Sequence, residues 1–197
     1  MKIKTSGAIT DFLIHHSQII ASTDAGTIET YDLISGMQED LIQLPKTEDF
    51  MGDAIATKVF SVDILSTDIL SVSLGKDGFR DVFIFSEGQK KQVISSGDNR
   101  MMIKKARWIN HNTILLGLMS NDLVLFDIEK KQPICEMNIC PYTFSDLSLT
   151  ADKQYVFTAD ESGIVHKIKT GTCELVEEYS GINVDNIYQL VYKEGIV

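Results

Sequence analysis

The chain has little of what would commit it to a membrane, a disulfide scaffold or nucleic acid. Its 197 residues include 3 cysteines, 3 prolines and 1 tryptophan. A small, odd number of cysteines builds no disulfide framework. Cys135, Cys140 and Cys173 fall in or beside apolar strand patterns, so they are expected to be small buried hydrophobes or surface thiols. There is no Cys-x-x-Cys metal pattern. The longest apolar run, around Thr113–Met119, falls far short of the roughly 20 residues that span a bilayer as a helix. The first residues, Met1-Lys2-Ile3-Lys4-Thr5-Ser6, lack the apolar stretch of a secretory signal. The chain is therefore read as cytoplasmic, or as a mature protein whose leader has been removed.

Positive charge is also scarce. Lys and Arg number 18 against 28 Asp and Glu, a net charge of −10. Nucleic acid and anionic membranes select clustered Lys and Arg, so both are disfavoured as partners. What remains is either a solvated acidic surface or attraction to a basic protein partner. Catalytic motifs are missing too: there is no Gly-x-Ser-x-Gly elbow, no phosphate loop and no His-Glu-x-x-His. Gly75-Lys76 lies in a strand–turn context rather than before a helix, and no helical apolar period is sustained anywhere.

What is present is a hairpin repeated four times. Its copies pair Ile19–Thr23 with Thr27–Asp32, Ile69–Leu74 with Arg80–Phe85, Ile114–Met119 with Leu123–Asp127, and Tyr155–Ala159 with Ile164–Ile168. The second strands end at Tyr31, Phe85, Phe126 and Ile168, with spacings of 54, 41 and 42 residues. A period of about 40–45 residues is that of a four-stranded propeller blade. An apolar strand precedes each hairpin: Ile9–Ile14, Val59–Ile64, Ile103–Ile109 and Phe144–Leu149. A more polar strand follows each: Asp40–Leu44, Lys91–Ser95, Ile134–Ile139 and Cys173–Tyr179. Buried middle strands should be continuously apolar and an edge strand charged, which is the pattern found.

The expected fold is an all-β propeller of four-stranded antiparallel blades. Residues 8–44, 59–96, 97–140 and 141–180 form blades one to four. The longer first interval is absorbed by residues 45–58, whose segment Pro45–Thr57 reads as an inserted loop rather than a strand. A fifth copy starts within 181–197, at Asp185–Tyr192, and reaches Ile196-Val197 where its second strand should begin. Residues 1–7 resemble the outer-strand exits Val93–Gly97 and Glu178–Gly181, so they are expected to supply an outer strand to a missing last blade. About four and a half blades of a seven-bladed ring are then present, a ring that would need roughly 290–310 residues.

The turns resemble those of the WD40 family of β-propellers, whose third strand ends in Trp-Asp after a Ser-x-Asp turn. Ser22–Asp32 is close, with Tyr31 in the Trp place, and Ser120–Asp127 is a shortened version with Phe126 there. Blades two and four end at Phe85-Ser86 and Ile168-Lys169, and the Gly-His pair before the inner strand is missing throughout. The family's Asp–His–Ser–Trp network therefore does not carry over. Ala159–Gly163 and Gly181–Tyr188 look like the WD40-like accessory protein encoded with periplasmic nitrate reductases. That resemblance implies a periplasmic, non-catalytic scaffold aiding such a reductase. The competing class is a small-ligand binder or lactonase-like enzyme working in a central channel.

Candidate residues follow from this layout. Asp24, Asp77, Asp122 and Asp160 lie between second and third strands, joined by Asp49, Asp53, Asp98 and Asp185 from the loops between blades. Their structural role would be Asx turns; their functional role would be an acidic face that steers a basic partner. Phe50 and Met51 interrupt the polar insertion and either anchor a partner or tuck under their loop. Asp11 and Asp146 align on inner strands, where they would meet channel water or backbone amides. Trp108 reads as core, His15-His16 and His111 as turn residues, and His166 as a strand residue. No metal, cofactor or catalytic residue is assigned.

Overall fold

The computed structural model describes residues 2–87, 89–139, 142–180, 186–193 and 195. Gly88, Cys140, Asp185, the segment 181–184 and the final pair Ile196-Val197 lie outside them.

The expected strands form, and each set of four makes one antiparallel sheet in chain order. The first sheet is β1 (Ile9–His15), β2 (Gln18–Thr23), β3 (Thr27–Asp32) and β4 (Gln38–Gln43). The second comprises β7 (Val59–Leu65), β8 (Asp68–Leu74), β9 (Arg80–Ser86) and β10 (Gln89–Ile94). The third comprises β11 (Ile103–Asn110), β12 (Thr113–Leu118), β13 (Asp122–Asp127) and β14 (Gln132–Asn138). The fourth comprises β15 (Phe144–Leu149), β16 (Tyr155–Asp160), β17 (Val165–Lys169) and β18 (Glu174–Tyr179). The middle strands are largely buried, while β4 and β18 are exposed along most of their length. A bulge recurs near the start of three inner strands, at Ile9/Asp11, Val59/Ser61 and Phe144/Asp146. Bulges increase local twist, so their recurrence gives the inner strands of blades one, two and four the same local curvature.

The insertion departs from expectation. Within Pro45–Thr57, β5 (Thr47–Glu48) pairs with β6 (Ala54–Ile55) in a miniature hairpin. Residues 2–8 form no strand, but they are held to blade one by side chains. The Ser6 amide donates to Glu29 at 3.0 Å, and the Lys4 carbonyl accepts from the Tyr31 hydroxyl at 3.2 Å.

The chain divides into two compact units, residues 1–101 with 106–108, and 102–105 with 109–197. The first unit buries Ile20, Ile28, Leu44, Val59, Val62 and Phe83 between blades one and two. The second buries Leu115, Leu123, Leu125, Phe144, Leu147, Val156 and Ile168. Here Gly117 is required by packing, because a Cβ at that position would strike the Phe144 ring.

The cysteines correct the sequence reading. Cys135 and Cys173 form a disulfide, with Cα atoms 6.1 Å apart. Cys135 lies on β14 and Cys173 in the turn just before β18, different places on consecutive blades that the fold brings together. Neither the odd count nor the spacing in sequence betrays that pairing. Among the described residues no helix is long and apolar enough to cross a membrane.

Candidate functional site

The inserted hairpin is built to hold its tip outward. Asp49 closes the turn, its Oδ1 accepting the amides of Met51 at 2.8 Å and Asp53 at 2.9 Å. The Asp49 amide donates to the Asp53 carbonyl at 3.0 Å, and Gly52 takes the left-handed conformation at φ +85°. At the base, the Thr57 hydroxyl donates to the Pro45 carbonyl. Of the two alternatives for the tip, the structure adopts the exposed one: Phe50 is 85% and Met51 75% exposed. An apolar pair fixed by backbone hydrogen bonds loses little further freedom on meeting a partner.

Two blade turns flank this hairpin in the first unit. Gly26, in the turn after β2, packs so closely that a Cβ there would meet the Thr57 carbonyl. On the other side β5 lies against the turn Lys76–Gly78. These contacts put the base of the inserted hairpin beside the turns that carry Asp24 and Asp77, and Asp49, Phe50, Met51 and Asp53 form its tip. Asp24 is exposed yet also ties the chain, accepting the Ala8 amide at 2.8 Å. Asp77, at φ 54°, pairs with Arg100 at 3.6 Å on the surface.

The second unit treats its two turn aspartates differently. Asp122 is half-buried and accepts from Ser120 and Asn138. Asp160 is fully buried, which corrects its assignment to an exposed acidic face. It ends β16 rather than sitting at the tip of the turn, and there it accepts from the Asn121 side chain at 3.2 Å and the Ser162 amide at 2.8 Å. His166, also buried, places Nδ1 3.8 Å from Asp160 and Nε2 3.8 Å from Glu178.

The inner-strand carboxylates bind backbone. Asp11 Oδ2 accepts the Val62 amide at 3.2 Å and lies 3.6 Å from Arg107. Asp146 Oδ2 accepts the Leu190 amide at 2.9 Å, while its Oδ1 meets Lys105 at 2.7 Å. Asp63, which sequence reading passed over, does the same for the Trp108 amide at 2.7 Å. Each carboxylate thus stitches its inner strand to the segment about one blade further along the chain. The available signal was the alternation of Lys105 and Arg107 on β11, two cations on an inner strand. Trp108 itself is core, 1% exposed.

A second polar cluster also escaped sequence reading. Glu29 is buried on β3 and accepts from the Thr27 hydroxyl at 2.6 Å, the Ser6 amide at 3.0 Å and the Tyr31 hydroxyl. Burial pushes the Glu29 carboxyl up, but these hydrogen bonds outweigh it and hold the group below its ordinary value. Burial, and the hydrogen bond and charge of Glu29, push the Tyr31 phenol up to about 12.

Two grooves complete the picture. One of about 490 Å³ in the first unit is lined by His15, His16, Glu39 and Asp40 over Ile20, Ile64 and Ile69. One of about 1060 Å³ in the second unit runs between blade four and Ile187, Leu190, Val191 and Tyr192. There Tyr192 stacks on Phe157 with ring centres 5.6 Å apart, and the Tyr192 amide donates to Ser148 at 2.9 Å. Among the described residues no group of His, Cys, Asp and Glu could hold a metal ion.

No protein-family model matches the chain, and no curated protein matches it in sequence. Solved structures do match in fold. The β-propeller domain of Cps50 (Swd1) from Myceliophteria thermophila is similar over 99% of this chain, with a TM-score of 0.71 and 15% identity. The computationally designed Ika8 protein is similar over 94%, with a TM-score of 0.65 and 13% identity. The chain spans 62% of the first structure and 53% of the second. The fold is therefore a β-propeller of four-stranded antiparallel blades, four of which are present among the described residues.

Proposed function

We propose that this propeller is a non-catalytic interaction scaffold of WD40 type, and that the first unit binds a basic protein partner along its turn edge. The observation that carries the reading is the pair Phe50 and Met51, held outward on a turn locked by Asp49. Exposed aromatic and Met side chains in a rigid setting are the usual anchors of protein interfaces. Asp24, Asp53 and Asp77 around them supply a field that steers a cationic surface.

Within this class the narrower version is an accessory factor of a periplasmic nitrate reductase. Its support is the sequence resemblance at Ala159–Gly163 and Gly181–Tyr188. Purified periplasmic nitrate reductase is the probe that tests it by surface plasmon resonance. Phe50→Ser with Met51→Ser should raise Kd about tenfold or more, mainly through faster dissociation. Asp24→Lys with Asp77→Lys should slow association at low salt, and that difference should fade at high salt. An on-rate unchanged by the charge reversals removes the steering argument. No binding by the wild-type chain removes the reductase as partner.

A further inference from the structure

Blade four is tied covalently to blade three at the place where a blade is held least. An outer strand has a hydrogen-bonded neighbour on one side only, so the rim is where local opening begins. Cys135 on the outer strand β14 and Cys173 at the start of the outer strand β18 meet at that rim, 38 residues apart in sequence. Cys173 is 7% exposed and packs into the core of the second unit with Leu125 and Ile168, whereas Cys135 is half-buried. The bond therefore closes a loop containing β15, β16 and β17.

We propose that Cys135 and Cys173 are a thiol–disulfide site that locks the rim of blade four and makes the second unit fully stable only under oxidising conditions. The oxidant is a small disulfide of the glutathione class. One cysteine, as its thiolate, attacks the oxidant's S–S bond and releases one glutathione thiolate. The other cysteine then attacks the mixed disulfide and releases the second, and the two protons lost by the cysteines end on those two thiols. The first unit contains none of the three cysteines, all of which follow residue 108. It is the internal control.

The experiment uses the full chain in oxidised or reduced glutathione, with peptide mapping, thermal melting and amide hydrogen exchange. Oxidation should give a Cys135–Cys173 peptide. Reduction should lower the melting midpoint of the second unit by roughly 10 °C or more. It should also speed exchange at least tenfold in β14 and β18 while leaving β2 and β3 unchanged. Cys135→Ser should behave like the reduced protein, and Cys140→Ser like the oxidised one. Because reduction acts on the wild-type chain, a variant that fails to fold leaves the test intact. The proposal is overturned if Cys135 and Cys173 stay alkylatable after oxidation, or if either pairs with Cys140. It is equally overturned if reduction moves neither melting nor exchange.

Discussion

The two units pack pairs of blades of one design with the same carboxylate-to-amide stitching, and the second adds a covalent fastening. In the first, charge and hydrogen bonds do the fastening. Arg107 reaches Asp11, the Ser61 hydroxyl at 3.0 Å and the Val62 carbonyl at 3.2 Å, and Asp63 holds the Trp108 amide. The Glu29 cluster ties residues 4–6 to blade one. In the second unit, Lys105 meets Asp146, the Lys104 ammonium donates to the Phe144 carbonyl at 2.8 Å, Asp146 accepts the Leu190 amide, and a disulfide is added at the rim. A repeat architecture specifies where consecutive blades must be joined. It does not specify which chemistry joins them, and each choice responds to different solution conditions.

Changes that strike one fastening and spare the other test this contrast. The largest effect should come from the disulfide. Reduction, or Cys135→Ser, should cost the second unit about 3–4 kcal/mol, the loop-closure value for a ring of this size. Denaturant unfolding followed by hydrogen exchange would assign the loss to one unit.

Next is Glu29→Ala, expected to cost the first unit roughly 2–4 kcal/mol by leaving Thr27, Tyr31 and Ser6 short of their acceptor. Because folding lowers the Glu29 pKa, its contribution is present above the unfolded value and is lost as pH falls through the folded one. Glu29→Gln should therefore flatten the acid limb of the stability curve near pH 4 and below. Tyr31 has the opposite sign. Its raised pKa makes stability fall as pH climbs from about 10 toward about 12, and Tyr31→Phe should remove that alkaline loss.

A smaller cost, about 1–3 kcal/mol, is expected for Gly117→Val, which forces the Phe144 ring from its place in the second core. The smallest effect belongs to Phe50→Ser, within about 0.5 kcal/mol by thermal melting, because that side chain packs against little in the folded chain. A marked destabilisation there would mean the tip serves the fold, and would weaken its assignment as an anchor.

The blades were legible because strand burial writes itself locally. Runs such as Ile114–Leu118 are apolar throughout because both faces are covered, and charged runs such as Glu174–Tyr179 mark the rim. The insertion was legible as extra length, but not as a hairpin, since two-residue strands carry no period. Asp160 was misplaced because an acidic residue beside Glu161-Ser162-Gly163 reads as a turn. Its burial depends on Asn121, 39 residues earlier in the chain. The stitching carboxylates were half legible: Asp11 and Asp146 were found by alignment, while Asp63 falls two positions later along its strand and broke the pattern.

Composition and periodicity by themselves determined that this chain forms antiparallel four-stranded sheets, where their edges lie, and which loop is extra. Those properties depend on contacts between neighbours in sequence and on the two-residue alternation of a strand. Tertiary structure alone decided that Cys135 meets Cys173, that Asp160 is buried while Phe50 and Met51 are not, and that aligned aspartates hold backbone amides. The disulfide, the burial of Asp160 and the amide contacts depend on blade-to-blade stacking, which brings residues about 40 positions apart within a few ångströms and leaves no local trace in the chain. The exposed tip depends instead on a turn closed by Asp49, in a hairpin too short to show a period.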